Sequence, residues 1–161
     1  MYCMCQSDMD IKESKLFRAR RNSEEKNYRS MDEFSHRVTP HNICSLKDNE
    51  IFVFGSNLEG RHGGGAARTA ADKFGAIWGQ GVGLQGQSYA IPTMHGGVEA
   101  IKPYVDEFIA FAKQHAELTF LVTRIGCGIA GFTDKEMAPL FIDAVDVANI
   151  HLPDSFWKEL I

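Results

Sequence analysis

Apolar positions along the chain fall into short blocks whose spacing changes from one block to the next. Glu50-Ile51-Phe52-Val53-Phe54 is a near-continuous apolar run, which predicts a strand in the middle of a parallel or mixed sheet. Residues 66–74 are alanine-rich and open just after Gly63-Gly64-Gly65, which predicts a helix. Residues 79–87 are too rich in glycine for a regular element and are expected to form a loop. Ser88-Tyr89-Ala90-Ile91-Pro92 is expected to be a short strand that stops at its proline. From 101 to 116 the apolar residues Ile101, Tyr104, Val105, Phe108, Ile109 and Ala112 recur at helical spacing and define one face. Pro103 is expected in the first turn of that helix, where a missing N–H is harmless. Thr119-Phe120-Leu121-Val122 predicts the next strand. Residues 139–148 predict a helix with Leu140, Phe141, Ala144, Val145 and Ala148 inward, and Thr133-Asp134-Lys135-Glu136 before it has capping-box spacing. Residues 149–152 are expected as an edge strand, followed by a helical turn carrying Phe156 and Trp157.

Strands therefore alternate with helices, which predicts an α/β fold with helices on both faces of the sheet. In such sheets ligands bind at the carboxyl ends of the strands. Two glycine-rich segments lie at such ends. Phe54-Gly55-Ser56-Asn57 leads to Gly63-Gly64-Gly65, and Val122 leads to Arg124-Ile125-Gly126-Cys127-Gly128-Ile129-Ala130-Gly131-Phe132. Glycine loops let the backbone turn sharply and approach a ligand closely, and their successive N–H groups form concave anion sites. The expectation is one crevice gripping a phosphorylated ligand from two sides.

With 161 residues the chain is long enough for one domain with a sizeable core. All fifteen glycines fall between Gly55 and Gly131, whereas the first 36 residues contain neither Gly nor Pro. This shift divides the chain into a charged arm, 1–36, and a compact domain, 37–161. The arm is read as helical around 11–27 or disordered, and as a candidate docking segment for a protein partner. Arg18-Ala19-Arg20-Arg21 is balanced by acids nearby, and the net charge of −4 argues against general nucleic-acid binding. No apolar run reaches membrane-spanning length and no signal-peptide core opens the chain, so a cytoplasmic protein is expected. Cysteines at 3, 5, 44 and 127 lack metal-ligand spacing. They read as free thiols in a reducing compartment, with no Cys44–Cys127 bridge.

Val53-Phe54-Gly55-Ser56-Asn57 with Gly63-Gly64-Gly65-Ala66, Ser88-Tyr89-Ala90-Ile91-Pro92-Thr93, and Ile125-Gly126-Cys127-Gly128-Ile129-Ala130-Gly131 together resemble the macrodomain pattern, in the branch that carries IGCG. The resemblance covers roughly residues 42–147. It implies a three-layer α/β/α sandwich with a mixed central sheet that binds ADP-ribose or a related NAD-derived nucleotide. By position, Asn57 would hydrogen-bond the distal ribose, and Gly63, Gly64 and Gly65 would line it. Gly126, Cys127, Gly128, Ile129, Ala130 and Gly131 would wrap the diphosphate, and Phe132 would pack against the ribose. The aspartate that reads adenine in many macrodomains has no clear match. Asn42 stands at about the right distance and could face the adenine amino group through its carbonyl oxygen.

The departures bear on catalysis. Ala66 and Ala67 stand where an acid follows the glycine turn in some hydrolases of the family. Met94 follows Thr93 where a lysine attacks the sugar in the IGCG branch, and Ala130 replaces an aspartate. The remaining catalytic candidates are His62, His95, Glu59 and Asp134. Each also has an ordinary role: loop histidine, exposed carboxylate, helix cap. Cys127 lacks a base placed by sequence to form its thiolate. The leading expectation is a binder with weak hydrolase activity at most. The alternatives are an ADP-ribosyl hydrolase acting on a protein, nucleic acid or small acceptor, and a non-enzymatic interaction module recruited through the arm. No cofactor or metal is expected. A dinucleotide-binding fold of Rossmann type is disfavoured, because GxGxxG spacing after the first strand is absent.

Overall fold

A computed structural model describes residues 32–161. The expected helix at 11–27, the cysteines at 3 and 5 and most of the charged arm lie outside the described residues. Arg37–Leu160 form one compact unit, to which the following applies.

The fold is α/β, a three-layer arrangement around a five-stranded mixed sheet of order β2-β3-β1-β4-β5. The strands are β1 (Glu50–Ser56), β2 (Gly83–Gln85), β3 (Ser88–Pro92), β4 (Thr119–Val122) and β5 (Ile150–His151). The helices are α1 (Gly65–Lys73), α2 (Val98–Lys113), α3 (Asp134–Met137) and α4 (Asp154–Leu160). β1 lies at the centre and pairs in parallel with both β3 and β4. Its residues Ile51 to Phe54 are all buried, as a strand covered on both faces requires.

Alternation along β1 divides the core. Phe52 and Phe54 meet Ala67, Ala70 and Phe74 around α1, with the Phe52 and Phe74 rings 5.0 Å apart. On the other face Tyr89 and Phe120 pack against Phe108 of α2, at 5.1 and 5.5 Å between ring centroids.

Three elements differ from the sequence reading. The glycine-rich stretch at 79–87 contains β2, antiparallel to β3; pairing with a well-buried neighbour supplies what its own propensity lacks. α2 starts at Val98, three residues earlier than expected, so Pro103 lies inside the helix and not in its first turn. The segment after α3 is a 3-10 helix, Ala138–Ala144. Ala138, Phe141 and Ala144 are fully buried in it at three-residue spacing, which fits three residues per turn. Val145 is only half-buried and Ala148 is exposed, so the expected inward set holds for Leu140, Phe141 and Ala144 alone.

The end of this 3-10 helix is capped from a distance. Arg37, 5% exposed, donates to the carbonyls of Ala144, Val145, Val147 and Ile150 at 2.7–3.1 Å. Its guanidinium also lies over the Trp157 ring, 5.1 Å from the centroid. A cation at a helix C-terminus satisfies carbonyls that the helix itself leaves open.

Candidate functional site

Because β1, β3 and β4 run parallel, their carboxyl ends Ser56, Pro92 and Val122 share one edge of the sheet. The loops that follow gather there. Two neighbouring cavities of about 500 Å³ each lie among them, within the ordinary range for small-molecule sites. The first is lined by Asn42, Ile43, Phe52, Thr69 and Lys73, with Thr39 to His41 and Cys44 also on its wall. The second is lined by Asn57, Arg61, Gly63 to Ala67, Thr93 and Met94 on one side, and by Ile125, Gly126, Gly128, Ile129 and Ala130 on the other. Ala66, Thr123 and Arg124 line both, so the cavities meet there.

Backbone accounting separates the residues of the second loop. The N–H groups of Cys127, Gly131 and Phe132 are consumed within the loop, by the carbonyls of Arg124, Gly128 and Gly126 at 3.2, 3.0 and 2.8 Å. None of these three residues lines the cavity. Gly126, Gly128, Ile129 and Ala130 do line it, and their N–H groups have no acceptor among the described residues. Facing them is the start of α1. Its N-cap, Gly64, provides no side-chain cap. The N–H groups of Gly63, Gly64, Gly65, Ala66 and Ala67 likewise have no acceptor among the described residues. An uncapped helix start opposite a loop with N–H groups left over has the chemistry to hold an anion from two sides.

The charged lining has one sign. Arg61, Lys73 and Arg124, with His41, line the two cavities, and no Asp or Glu does. This occurs in a chain of net charge −4.

Asn57 lines the second cavity, but its side chain is committed to its own loop. Its amide N–H donates to the Arg61 carbonyl at 2.8 Å, and its oxygen accepts from the Arg61 N–H at 2.9 Å. The Ser56 hydroxyl donates to the Gly81 carbonyl and ties this loop to the next. Gly60 is required there: its φ is +70°, and a Cβ would stand 2.3 Å from Gln80 N.

The structure does not bring the four catalytic candidates to the cavity wall. His62 is fully buried, packs edge-on against Phe54 at 5.3 Å and bonds the Ile77 carbonyl through Nε2 at 2.8 Å. A carbonyl only accepts, so Nε2 carries a proton, and the buried Nδ1 has no partner among the described residues. His95 lies edge-on to Tyr104 at 5.4 Å and bonds Ala100 O at 3.1 Å. Glu59 is an exposed carboxylate paired with Arg61 at 3.0 Å. Asp134 follows the N-cap Thr133, which forms the expected capping box with Glu136. Its carboxylate takes a forked pair of bonds from Arg124, at 3.0 Å from Nε and 2.6 Å from Nη2. This holds the Asp134 carboxyl below the usual carboxylate range, with a contribution from Ser155. A carboxylate so held is a poor general base near neutral pH.

Phe132 closes the loop with its N–H and does not reach the cavity. Cys127 is half-buried, 3.6 Å from Asp134 Oδ1. Burial pushes its thiol up to about 11, and the neighbouring Asp134 charge adds to this. Cys44 and Cys127 are both free. Alkylation by iodoacetamide at pH 8 is expected to be on the order of a hundredfold slower at Cys127 than at an ordinary thiol, because so little thiolate forms. Peptide mapping of a time course checks this; rapid labelling of Cys127 would contradict it.

Sequence reasoning gave no role to Arg124, Arg61, Lys73, Thr93 or Thr123. Arg124 carried the clearest missed signal, as a cation two residues past the end of β4 at the edge where the glycine loops gather. Among the described residues no three His, Cys, Asp or Glu side chains form a metal-binding group, and no helix is long and apolar enough to cross a membrane. In comparisons with known proteins, no family model, no curated protein and no solved structure matches the chain.

Proposed function

We propose that this chain is a cytoplasmic, macrodomain-like binder of ADP-ribose or a closely related NAD-derived nucleotide. The observation that carries this reading is the coincidence between cavity lining and free backbone donors. Gly126, Gly128, Ile129 and Ala130, whose N–H groups have no acceptor among the described residues, line the cavity across from the uncapped start of α1. Such a pair of walls selects a phosphate or diphosphate. The two joined cavities leave room for a group on either side of it, and the all-cationic charged lining favours an anion. Asn42 and Ile43 in the first cavity suit the nucleoside, and Gly63 to Gly65 in the second suit the distal ribose.

A thermal-shift panel of ADP-ribose, ADP-ribose-1″-phosphate, NAD, AMP and cyclic ADP-ribose isomers tests the reading. A ligand that binds only the native state stabilises it by about 2.7 kcal/mol at a hundred times its dissociation constant. ADP-ribose or its 1″-phosphate is expected to give the largest shift. No shift with any of the five would defeat the proposal.

Hydrolysis is expected to be weak or absent. Met94, Ala67 and Ala130 all line the second cavity, and none can act as base, acid or amine nucleophile. Chromatographic assay of ADP-ribosylated aspartate, arginine and nucleotide substrates checks this. Fast turnover lost in Asp134→Ala or His62→Ala would replace the binder with a hydrolase.

A further inference from the structure

In the proposed site the backbone donors hold the anion directly, and the cationic side chains around them supply only a favourable field. Yet the residue at the junction of the two cavities is a cation with an unusual set of restraints. Arg124 lines both cavities and its side chain is about half exposed, at 53%. A ligand filling both lobes must pass its linking group by this residue. One edge of the guanidinium, Nε and Nη2, is locked onto the two oxygens of Asp134. Asp134 is itself fixed: Ser155 Oγ of α4 donates to Oδ1 at 2.9 Å, and the Cys127 thiol lies 3.6 Å from the same oxygen. Nη1 has no partner among the described residues. The carboxylate that orients the arginine does not line either cavity, so its negative charge stands behind the guanidinium and not in the ligand's path.

This is more than a surface ion pair. An exposed long side chain loses rotamer freedom when it binds an anion, and a pre-fixed fork has already lost most of it. Arginine matches phosphate with two parallel donors in a plane, a geometry that lysine lacks. We propose, building on the nucleotide-binding reading, that Arg124 is the side chain that grips the phosphate linker of a two-lobed nucleotide. Asp134 and Ser155 are its positioning residues. The consequence is selectivity: ligands with a diphosphate between two groups are preferred over nucleosides and monophosphates that fill one lobe.

Calorimetric titration of the full chain with ADP-ribose, inorganic pyrophosphate and adenosine tests this, at low and moderate salt, for the parent, Arg124→Gln, Arg124→Lys and Asp134→Asn. Circular dichroism verifies folding. Arg124→Gln is expected to weaken ADP-ribose and pyrophosphate by roughly tenfold or more, the effect of one charged hydrogen bond. It should flatten the salt dependence and leave adenosine unchanged. Arg124→Lys should recover only part of the affinity, because it restores charge without the fork. Asp134→Asn should weaken ADP-ribose severalfold with the cation still present. Parent-like ADP-ribose binding by Arg124→Gln would overturn the inference and leave the proposed function standing. So would equal losses for adenosine and ADP-ribose. If the parent ignores ADP-ribose but binds pyrophosphate through Arg124, the proposed ligand falls and so does the two-lobed selectivity, with only the arginine's contact to phosphate surviving. If the parent binds neither, both fall.

Discussion

Gly128→Val is expected to weaken ADP-ribose binding by about ten- to a thousandfold, the cost of losing one or two hydrogen bonds to a charged group, while the protein still folds. Gly128 lines the second cavity, and a Cβ there would meet no atom within 4 Å. The space it would enter is the space the proposed diphosphate would occupy. Gly128 also has an ordinary φ, so the strained backbone that a loop glycine suggests on sequence does not apply here. That makes the variant a clean test. Gly126 would not serve: its φ is +78°, and a Cβ would stand 2.8 Å from Met137 Sδ, so folding and binding would fail together. Titration calorimetry with ADP-ribose and a melting curve on the same sample give the answer. Unchanged affinity would reduce the loop to a structural turn.

Arg37→Ala is expected to cost about 3–5 kcal/mol of folding stability, because it removes several bonds from a charged donor to buried carbonyls, each worth roughly 1.5–3 kcal/mol and not fully additive. The loss has two parts. The carbonyls of Ala144, Val145, Val147 and Ile150 lose their bonds from the guanidinium in a buried region, although Ala144 and Val147 keep the backbone N–H groups of Val147 and Ile150. Trp157, itself 3% exposed, loses the cation packed on its ring. Arg37→Lys keeps the charge but cannot reach four carbonyls with one ammonium, so an intermediate loss is expected. Urea titration followed by circular dichroism measures both. A loss below about 1 kcal/mol, the scale of a typical surface pair, would show that the network contributes little.

Much of the architecture was legible because the apolar periodicities are unambiguous. Residues 50–54 and 119–122 have the composition of buried parallel strands, and their glycine loops necessarily fall at one edge once the sheet is parallel. β2 was hidden because strand formation at Gly83–Gln85 depends on the neighbour β3 and not on local preference. The 3-10 geometry of Ala138–Ala144 was hidden because three- and four-residue spacings look alike over so short a run.

At the site, sequence reached the loops but not their internal accounting. That Cys127, Gly131 and Phe132 spend their N–H groups within the loop depends on a turn whose hydrogen bonds only coordinates reveal. His62 was ambiguous for a related reason. Beside three glycines it looks like a loop residue, but the chain folds it under Trp78 against Phe54. Arg124 gained its meaning from Asp134 and from Ser155 of α4, ten and more than thirty residues further on.

One side chain spans the crevice from wall to wall. Ile129 is 79% exposed, yet its Cδ1 lies 3.4 Å from where a Cβ on Gly64 would stand. A rotamer change is enough to swing this exposed side chain aside, with no displacement of a domain. Such changes in exposed residues take picoseconds to nanoseconds, far faster than a small molecule diffuses in at ordinary concentrations. For the proposed nucleotide, association should therefore be governed by encounter and by the cationic lining, with a rate that falls as salt is added, and residence time should be set by the bonds proposed to its phosphates.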